Sequence, residues 1–371
     1  MRKVCHLFFT LVIGVNSSVL SAQNIFSGFE HLFTPAQSYV VYQTDSEIII
    51  DGKADDHSWN QVEWTEEFAD IEGTEKPKPD YKTRVKMLWD SEYLYIFAEL
   101  EEPHVWSYYE KRDLIVFEEN DFEVFIDPDD DTHNYFEIEI NARNTIFDLF
   151  MAKPYRNGGI PIITWDSPRL KSAVYVDGTI NNSTDTDKKW TVEMAIPFEA
   201  IRLGVSTQIP IDNQLWRINF SRVQWQTEIV DGIYKRKKDT VSDKILPEDN
   251  WVWNATGLIN MHFPERWGML QFSTNLVNGR KVMFQYPNSE ELKKYLWLVY
   301  YKQKKYQGEN GKYAKTLSEI DMPAVLTIGS DENLELKLSA TEFQFTAFLN
   351  SSNGIIFTIN NDGLIQKNQQ K

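Results

Sequence analysis

Two short runs, residues 120–128 and 135–141, alternate apolar and polar side chains and could place several carboxylates on one surface. Because successive side chains of a β-strand point to opposite faces, these runs predict two half-buried antiparallel strands joined by an acidic loop. One face is apolar and belongs to the core. The other face is expected to meet water or a polar ligand, and its acidic members are Asp121, Glu123, Glu137 and Glu139.

Carboxylates in such an arrangement have three interpretations. A pair at a set separation can supply the acid and the nucleophile of a glycoside hydrolase. The same side chains can instead accept hydrogen bonds from the hydroxyls of a bound sugar. Alternating acids are also typical of a sheet face that simply meets solvent. The residues alone leave the three interpretations open.

The acidic loop carries Asp127, Asp129 and Asp131, whose spacing suggests a calcium site. An EF-hand is excluded, because Thr132 stands where that motif requires glycine and Ile138 where it requires the bidentate glutamate. The alternatives are an irregular calcium site and a turn of solvated acids. No other metal or cofactor is predicted from the residues.

Aromatic residues are concentrated on the connections between predicted strands, where binding residues often lie. A ring there can stack on the C–H face of a sugar, or it can close the open end of a β-sandwich. The residues concerned are Trp106, Tyr108, Tyr109, Phe117 and Trp165. Four other tryptophans lie within apolar patterns and are predicted to be core residues: Trp59, Trp89, Trp190 and Trp267.

The elements that must position these residues are short strands separated by turns. Runs at 82–89, 93–99, 145–150, 170–176, 190–196, 215–223 and 268–272 extend the pattern of the first two, and residues 47–50 are predicted as a further strand. Almost no helical periodicity appears before residue 285. The pattern predicts an all-β fold, a two-sheet antiparallel β-sandwich of jelly-roll or immunoglobulin type.

Four arginines are predicted to pair with some of these acids in buried or half-buried networks, although a guanidinium can also recognise a carboxylate or uronic acid. They are Arg143, Arg156, Arg217 and Arg222.

The composition predicts three parts. Residues 1–22 resemble a secretory signal, with Arg2 and Lys3 before an apolar run and small residues at its end. Residues 23–284 form the sandwich. Residues 285–371 are a small α+β appendage with a helix from Ser289 to Gly308, followed by a meander of strands.

Export to the periplasm, the outer surface or the exterior is therefore expected. The only cysteine is Cys5, within the predicted signal, so no disulfide is expected in the mature chain. A net charge of −17 disfavours binding to nucleic acid or to an anionic membrane surface. No segment is long and apolar enough to predict a membrane-spanning helix.

Six pieces of the chain, in order, resemble the family 9 carbohydrate-binding modules, and more closely the secreted bacterial proteins described as family 9-like. They are IDGKADDHSW (50–59), VKMLWDSEYLY (85–95), NDFEVFIDP (120–128), WTVEMAIP (190–197), WRINFSRVQW (216–225) and NMHFPERWG (260–268). Each piece alone is weak evidence, and their order across residues 39–273 is stronger evidence. The resemblance implies a β-sandwich that binds glycans and often accompanies glycan-degrading enzymes.

The resemblance also implies a location for the ligand. In the xylanase-borne members, two tryptophans hold a terminal sugar between them at one edge of the sandwich. The first corresponds here to Phe117 and the second to Met261 or His262. With their neighbours on the connections, the residues expected to bind a glycan are Trp106, Tyr109, Phe117, Glu119, Asp121, Trp165 and His262. Members of the family can also carry calcium.

Three other functions remain as alternatives. One is a glycoside hydrolase that uses a carboxylate pair, and another is an envelope protein that keeps the fold without a ligand. The third is a cytochrome-like electron carrier, because related sandwiches bind b-type haem through a methionine and a histidine. The residues available for this here are Met261, His262, His104 and Met151. Neighbours such as Met261 and His262 face opposite sides of a strand, which disfavours a shared iron.

Overall fold

A computed structural model describes residues 25–205, 209–328, 331–350 and 354–369. The predicted export signal, residues 1–22, lies outside the described residues. The first unit contains fifteen strands. They are β1 Ser38–Gln43, β2 Ala69–Asp70, β3 Thr83–Trp89, β4 Tyr93–Glu101, β5 Asp121–Asp127, β6 Tyr135–Asn141, β7 Ile146–Met151, β8 Pro161–Ile162, β9 Lys171–Asp177, β10 Lys189–Pro197, β11 Leu215–Gln224, β12 Thr227–Val230, β13 Ile233–Arg236, β14 Asp249–Val252 and β15 Gly268–Leu276.

The strands form two packed layers that share one strand. Hydrogen bonding follows the order β8-β7-β6-β5-β11-β15-β1-β3-β4-β10-β9, and β14 pairs with β11. Strand β1 pairs with β15 along its length and reaches β3 at Tyr42 and Gln43, so it links the layers. The predicted antiparallel β-sandwich is confirmed, and the two pairings of β1 are the parallel exceptions within the described residues. A hairpin forces antiparallel pairing, whereas β1 is far from β15 in the chain and not joined to it by a turn.

The core lies between the layers, as the alternating pattern predicts. Phe122 of β5 stacks on Phe220 of β11, with ring centroids 5.8 Å apart. The other inward residues of the first hairpin are at most 2% exposed, and each buried side chain of this size contributes about 1.5–3 kcal/mol. All four tryptophans assigned to apolar patterns are buried, which confirms that prediction: Trp59, Trp89, Trp190 and Trp267.

The prediction of a strand at residues 47–50 is wrong. The segment makes no strand pairing, and Ile49 is 63% exposed. Its backbone N–H donates to the Asp56 carboxylate at 3.1 Å, so a local loop bond replaces a ladder bond. Trp59 lies on a short 3₁₀ turn, Ser58–Gln61, and is buried.

The C-terminal unit is an α-helix followed by a five-stranded meander. Helix α1 is Asn288–Asn310, and the strands are β16 Val325–Ile328, β17 Asp331–Ala340, β18 Phe345–Asn350, β19 Ile355–Asn360 and β20 Ile365–Gln369. The helix passes through Gly308, where the sequence predicted its end. It stops at Gly311, which adopts a left-handed conformation that glycine accepts without strain. A glycine inside a helix costs only about 1 kcal/mol, which the buried face of α1 outweighs.

The segment before β1 packs on this C-terminal unit. Phe29 stacks on Tyr301 of α1 with 6.3 Å between ring centroids, and Leu32 belongs to the same buried cluster. The segment before β1 and helix α1 therefore share one core, although they lie on opposite sides of the boundary predicted at residue 285. Within the described residues, no helix is long and apolar enough to cross a membrane.

Buried ion pairs join the two units. Arg217 of β11 bonds to Asp130, at 2.7 Å, and to Glu290 of α1. Lys293 of α1 contacts the same two acids. The other arginines predicted to pair with acids also do so: Arg143 with Glu110, Arg156 with Glu265 and Arg222 with Glu102.

Candidate functional site

A groove with a volume of about 590 Å³ lies on the outer face of strands β5, β6, β7, β11 and β14. Three connections cover the strands and form its walls: residues 113–117, 155–163 and 259–262. The lining residues are Ile71, Asp113, Ile115, Phe117, Glu123, Phe125, Glu137, Glu139, Phe147, Leu149, Tyr155, Pro161, Ile163, Val223, Glu248, Asn250, Ile259, Asn260, Met261 and His262.

The acidic face of the first hairpin forms the floor of this groove and is not solvated. Asp121, Glu123, Glu137 and Glu139 are 0–5% exposed. The alternative of a face that simply meets solvent is therefore wrong, whereas contact of this face with a polar ligand stays a prediction. Phe125 and Tyr135 alternate with the acids on this same face, and together with Trp267 they form a second apolar cluster beneath the covering connections. Burial of these rings buries the acids between them as well.

Burial changes the acid–base properties of the floor. It raises the pKa of Glu123 to about 7 and holds the pKa of Glu137 and Glu139 well above the ordinary glutamate value, with neighbouring carboxylates adding to the shift. A carboxylate in an apolar site is costly unless a cation or a hydrogen-bond donor accompanies it. No lysine or arginine is among the residues that line the groove.

The rim of the groove carries two exposed aromatic rings. Phe117 is 42% exposed, and it lies on the 3₁₀ turn Val116–Glu118. Its carbonyl accepts a hydrogen bond from the Trp225 indole at 2.8 Å, which fixes the turn. Tyr155 is 43% exposed on a different connection. A sugar-binding site needs exposed rings next to buried oxygen acceptors, because the faces of a sugar are apolar and its edges carry hydroxyls.

His262 lies in the wall of the groove as a neutral imidazole. Burial, with the nearby charge of Arg156, lowers the pKa of His262 to about 3. Its Nδ1 is 2.8 Å from the Tyr135 hydroxyl and its Nε2 is 3.8 Å from Glu137. In the tautomer with the proton on Nε2, Tyr135 donates to Nδ1 and the N–H faces Glu137. The ring of Tyr155 packs edge-on against His262, with 4.4 Å between centroids.

Of the residues predicted from sequence to bind a ligand, Phe117 and His262 line the groove, and Asp121 lies buried beside Glu123. Glu119 is elsewhere: its carboxylate accepts hydrogen bonds from the Ser107 hydroxyl and from the backbone N–H groups of Tyr108 and Tyr109. This bonding fixes the connection that leads to Phe117 and leaves Glu119 away from the groove lining.

The remaining three aromatic residues are also engaged outside the groove. The Tyr109 hydroxyl donates to Glu118 at 2.6 Å. Trp106 is buried in a cluster with Val223, Trp225 and Tyr234, and Trp165 packs on Phe136 at the edge of the main core. These three are not among the residues that line the groove, and a ligand contact for them stays a prediction.

The acidic loop has a geometry that fits a cation. Asp127, Asp129 and Asp131 each offer a carboxylate oxygen, and these oxygens lie within 4.8 Å of one another. Asp127 is buried and accepts hydrogen bonds from the N–H groups of Asp130 and Thr132. Burial raises the pKa of Asp131 to about 7. Oxygen-only ligands at this spacing suit calcium.

The residues considered for haem are not arranged as a ligand pair. His262 directs its two nitrogens at Tyr135 and Glu137, as described above. His104 Nδ1 lies 3.1 Å from the Tyr234 hydroxyl. Met151 is fully buried, in the apolar cluster around Trp267.

Several lining residues were not found by sequence reasoning: Tyr155, Ile163, Glu248, Asn250 and Asn260. The only signal for Tyr155 is its place in a loop rich in glycine and proline, residues 154–161, which is typical of a wall segment. The others lie on the connections 155–163 and 259–262 and at strand β14, and nothing local relates these three segments.

The chain matches the model of the family described as "Carbohydrate family 9 binding domain-like" over residues 50–271. It is 28% identical over 185 residues to exoglucanase XynX of Acetivibrio thermocellus, a match that covers 50% of this chain and 14% of that protein. It is 28% identical over 167 residues to endo-1,4-beta-xylanase A of Thermoanaerobacterium saccharolyticum, covering 45% and 12%. The chain thus spans only a small part of these relatives.

Two solved structures are similar at 16% identity, and both are covered completely. One is a family 9 carbohydrate-binding module from Caldicellulosiruptor kristjanssonii in complex with cellotriose, which covers 67% of this chain with a TM-score of 0.41. The other is a putative carbohydrate-binding protein from Bacteroides uniformis, which covers 64% with a TM-score of 0.47.

Proposed function

Because the chain belongs to the carbohydrate family 9 binding domain-like family, we propose that it is a non-catalytic carbohydrate-binding protein whose ligand lies in the groove between Phe117 and Tyr155. The observation that carries this proposal is the pairing of two exposed rings at the rim with buried oxygen acceptors on the floor. This pairing matches the two kinds of surface that a sugar presents.

Binding would combine stacking with hydrogen bonding. Phe117 and Tyr155 would contact the C–H faces of a sugar unit, which removes apolar surface from water. The floor glutamates Glu123 and Glu139 would accept hydrogen bonds from its hydroxyls. Asn250 and Asn260 can both donate and accept from the wall. The acidic lining disfavours glycans that carry uronic acids or sulfates, so a neutral or cationic glycan is expected.

We place the protein outside the cytoplasm, in the breakdown of polysaccharides. Residues 1–22 support export. The relatives support the setting, since they are named as an exoglucanase and a xylanase. An association with glycan-degrading enzymes follows from the same names and is tested by co-purification from the native source.

We also propose calcium in the hairpin loop at Asp127, Asp129 and Asp131. An ion there would neutralise acids that lie beside the interface between the two units. Removal of calcium with a chelator is expected to lower the thermal unfolding temperature of the wild type by more than that of a D129N/D131N variant.

The proposed function is tested by a glycan array followed by calorimetric titration. Replacement of either ring, in F117A or Y155A, is expected to weaken binding about tenfold, because one stacking contact of this type is worth about 1 kcal/mol in addition to the apolar area. F343A is the matched control, since Phe343 is 85% exposed on the C-terminal unit. The proposal fails if no glycan binds, or if both groove variants bind like the wild type.

A glycoside hydrolase is the second candidate, favoured by the raised pKa values on the groove floor, which resemble those of a general acid. Release of reducing ends from the glycans that bind would support it, provided that E137Q abolishes the release. Binding without release supports the non-catalytic function. If no glycan binds, an envelope protein that retains only the fold becomes the better interpretation.

A further inference from the structure

Three acids on the groove floor lie close enough to share one ion. Asp121, Glu123 and Glu139 each offer an oxygen, and these oxygens lie within 4.8 Å of one another. Asp121 and Glu123 are on β5, and Glu139 is directly opposite Glu123 on β6. Their exposed fractions are 0%, 5% and 2%, so water does not solvate them freely.

Several polar atoms of this floor have no hydrogen-bond partner among the described residues. They include both carboxylate oxygens of Asp121 and one oxygen each of Glu137 and Glu139. The buried hydroxyl of Ser221 interacts with the Glu123 carboxylate. Because Ser221 pairs with Glu123 across β11 and β5, its side chain is on the same face. Unpartnered buried oxygens on the two neighbouring strands β5 and β6 indicate an absent ligand.

Two other acids of the sandwich are paired with cationic side chains. Asp130 bonds to Arg217 and Lys293, and the fully buried Asp148 bonds to Arg112 at 2.7 Å. Asp121, Glu123 and Glu139 have no such cation within the described residues. Isolated buried carboxylates are too costly to persist uncompensated, so they must hold protons or a cation.

We propose that Asp121, Glu123 and Glu139 bind one hard divalent cation, with Ca²⁺ as the probe, and that this ion forms part of the glycan site. Calcium takes six to eight oxygens at about 2.3–2.6 Å, so two of its ligands can be at most about 5.2 Å apart. The observed spacing satisfies this limit. Glu137 and Ser221 supply further oxygens nearby.

The ion would leave coordination positions open toward the groove, because Glu123 and Glu139 line it. Sugar hydroxyls are oxygen donors that can fill such positions. The role of the ion in glycan binding rests on the proposed function, whereas the cation site itself does not.

Calorimetric titration of Ca²⁺ into the chelator-treated protein tests the cation site without any glycan. The background is the D129N/D131N variant, which removes the hairpin-loop site. This variant is expected to bind one Ca²⁺, and a further D121N or E139Q change is expected to weaken that binding at least 100-fold. Each amide variant keeps the size of the side chain and removes a buried charge, and its thermal unfolding without metal shows that it is folded.

Two results overturn the cation site: no Ca²⁺ binding to the D129N/D131N background, or binding that D121N and E139Q leave unchanged. Glycan titrations with and without Ca²⁺ test its role. Binding that is at least tenfold weaker without Ca²⁺ supports the role, and equal binding overturns the role while the proposed function stands. An absence of glycan binding in both states overturns the proposed function instead, while the Ca²⁺ titrations alone still decide whether the cation site exists.

Discussion

The prediction that tests the two-unit architecture most directly concerns Arg217. Its side chain is 6% exposed and bonds to Asp130 of the sandwich, to Glu290 of helix α1 and to the carbonyl of Trp267 at 3.0 Å. In R217M the apolar volume is kept, but the buried Glu290 and Asp130, which is 20% exposed, are left with Lys293 as their shared cation. Removal of one partner from a buried ion pair costs about 3–5 kcal/mol.

Because Lys293 still contacts both acids, the lower end of that range is expected, about 3 kcal/mol. For a unit of this size, 1 kcal/mol corresponds to about 2 °C, so R217M should lower the thermal unfolding temperature by about 6 °C. Addition of E290Q removes the excess negative charge, and the double variant should recover about half of the loss. Calorimetry at neutral pH measures both changes.

The matched control is K82M, which breaks a surface pair with Glu67 whose side chains are 69% and 55% exposed. Such pairs contribute about 1 kcal/mol at most. The reasoning is refuted if R217M costs no more than K82M, or if E290Q makes the R217M variant less stable. Limited proteolysis should also cut residues 277–287 faster in R217M, because that connection joins the two units.

Three further predictions concern packing and pH. G268A should cost about 3 kcal/mol in urea unfolding, because the added Cβ would lie 2.3 Å from the Trp253 ring. G308A, inside α1 with open space around it, should stabilise by about 1 kcal/mol in the same assay. Burial opposes ionisation of Asp130, but Lys293 and Arg217 lower its pKa below the ordinary aspartate value. The stabilisation from these two cations is therefore fully present above the ordinary aspartate pKa, and it is lost as the pH falls through the lowered pKa. The unfolding temperature should therefore fall below pH 4, and less steeply in R217M.

The sandwich could be predicted from sequence because its signal is local. Each strand of the first hairpin alternates apolar and polar residues, so Phe122 and Ile138 could be assigned to the core without knowledge of their partners. The parallel pairing of β1 with β15 could not, because it joins Ser38 to Met269 and no local pattern encodes that contact. The helix end was misplaced for a similar reason: the buried face of α1 outweighs the local preference of Gly308.

The burial of the acidic floor shows where period-two reasoning fails. An alternating pattern predicts which residues share a face of the strand, but it does not predict whether other segments of the chain cover that face. Phe125 and Tyr135 were visible on the acidic face, and two large rings there are a signal that something packs on it. The covering connections are distant in sequence, so the pattern predicted the faces correctly and the environment of one face incorrectly.

The second ring of the groove is carried by a different residue from the one that the family resemblance implies, but it lies in nearly the same place. The resemblance implied that the second clamp position corresponds to Met261 or His262, neither of which offers a large exposed ring. Tyr155 packs edge-on against His262 and is itself 43% exposed. A ring from the connection 154–161 therefore lies beside the implied position. Because stacking depends on where a ring lies and not on which loop carries it, the loss of the aligned residue does not remove the chemistry, and Y155A is the variant that tests this directly.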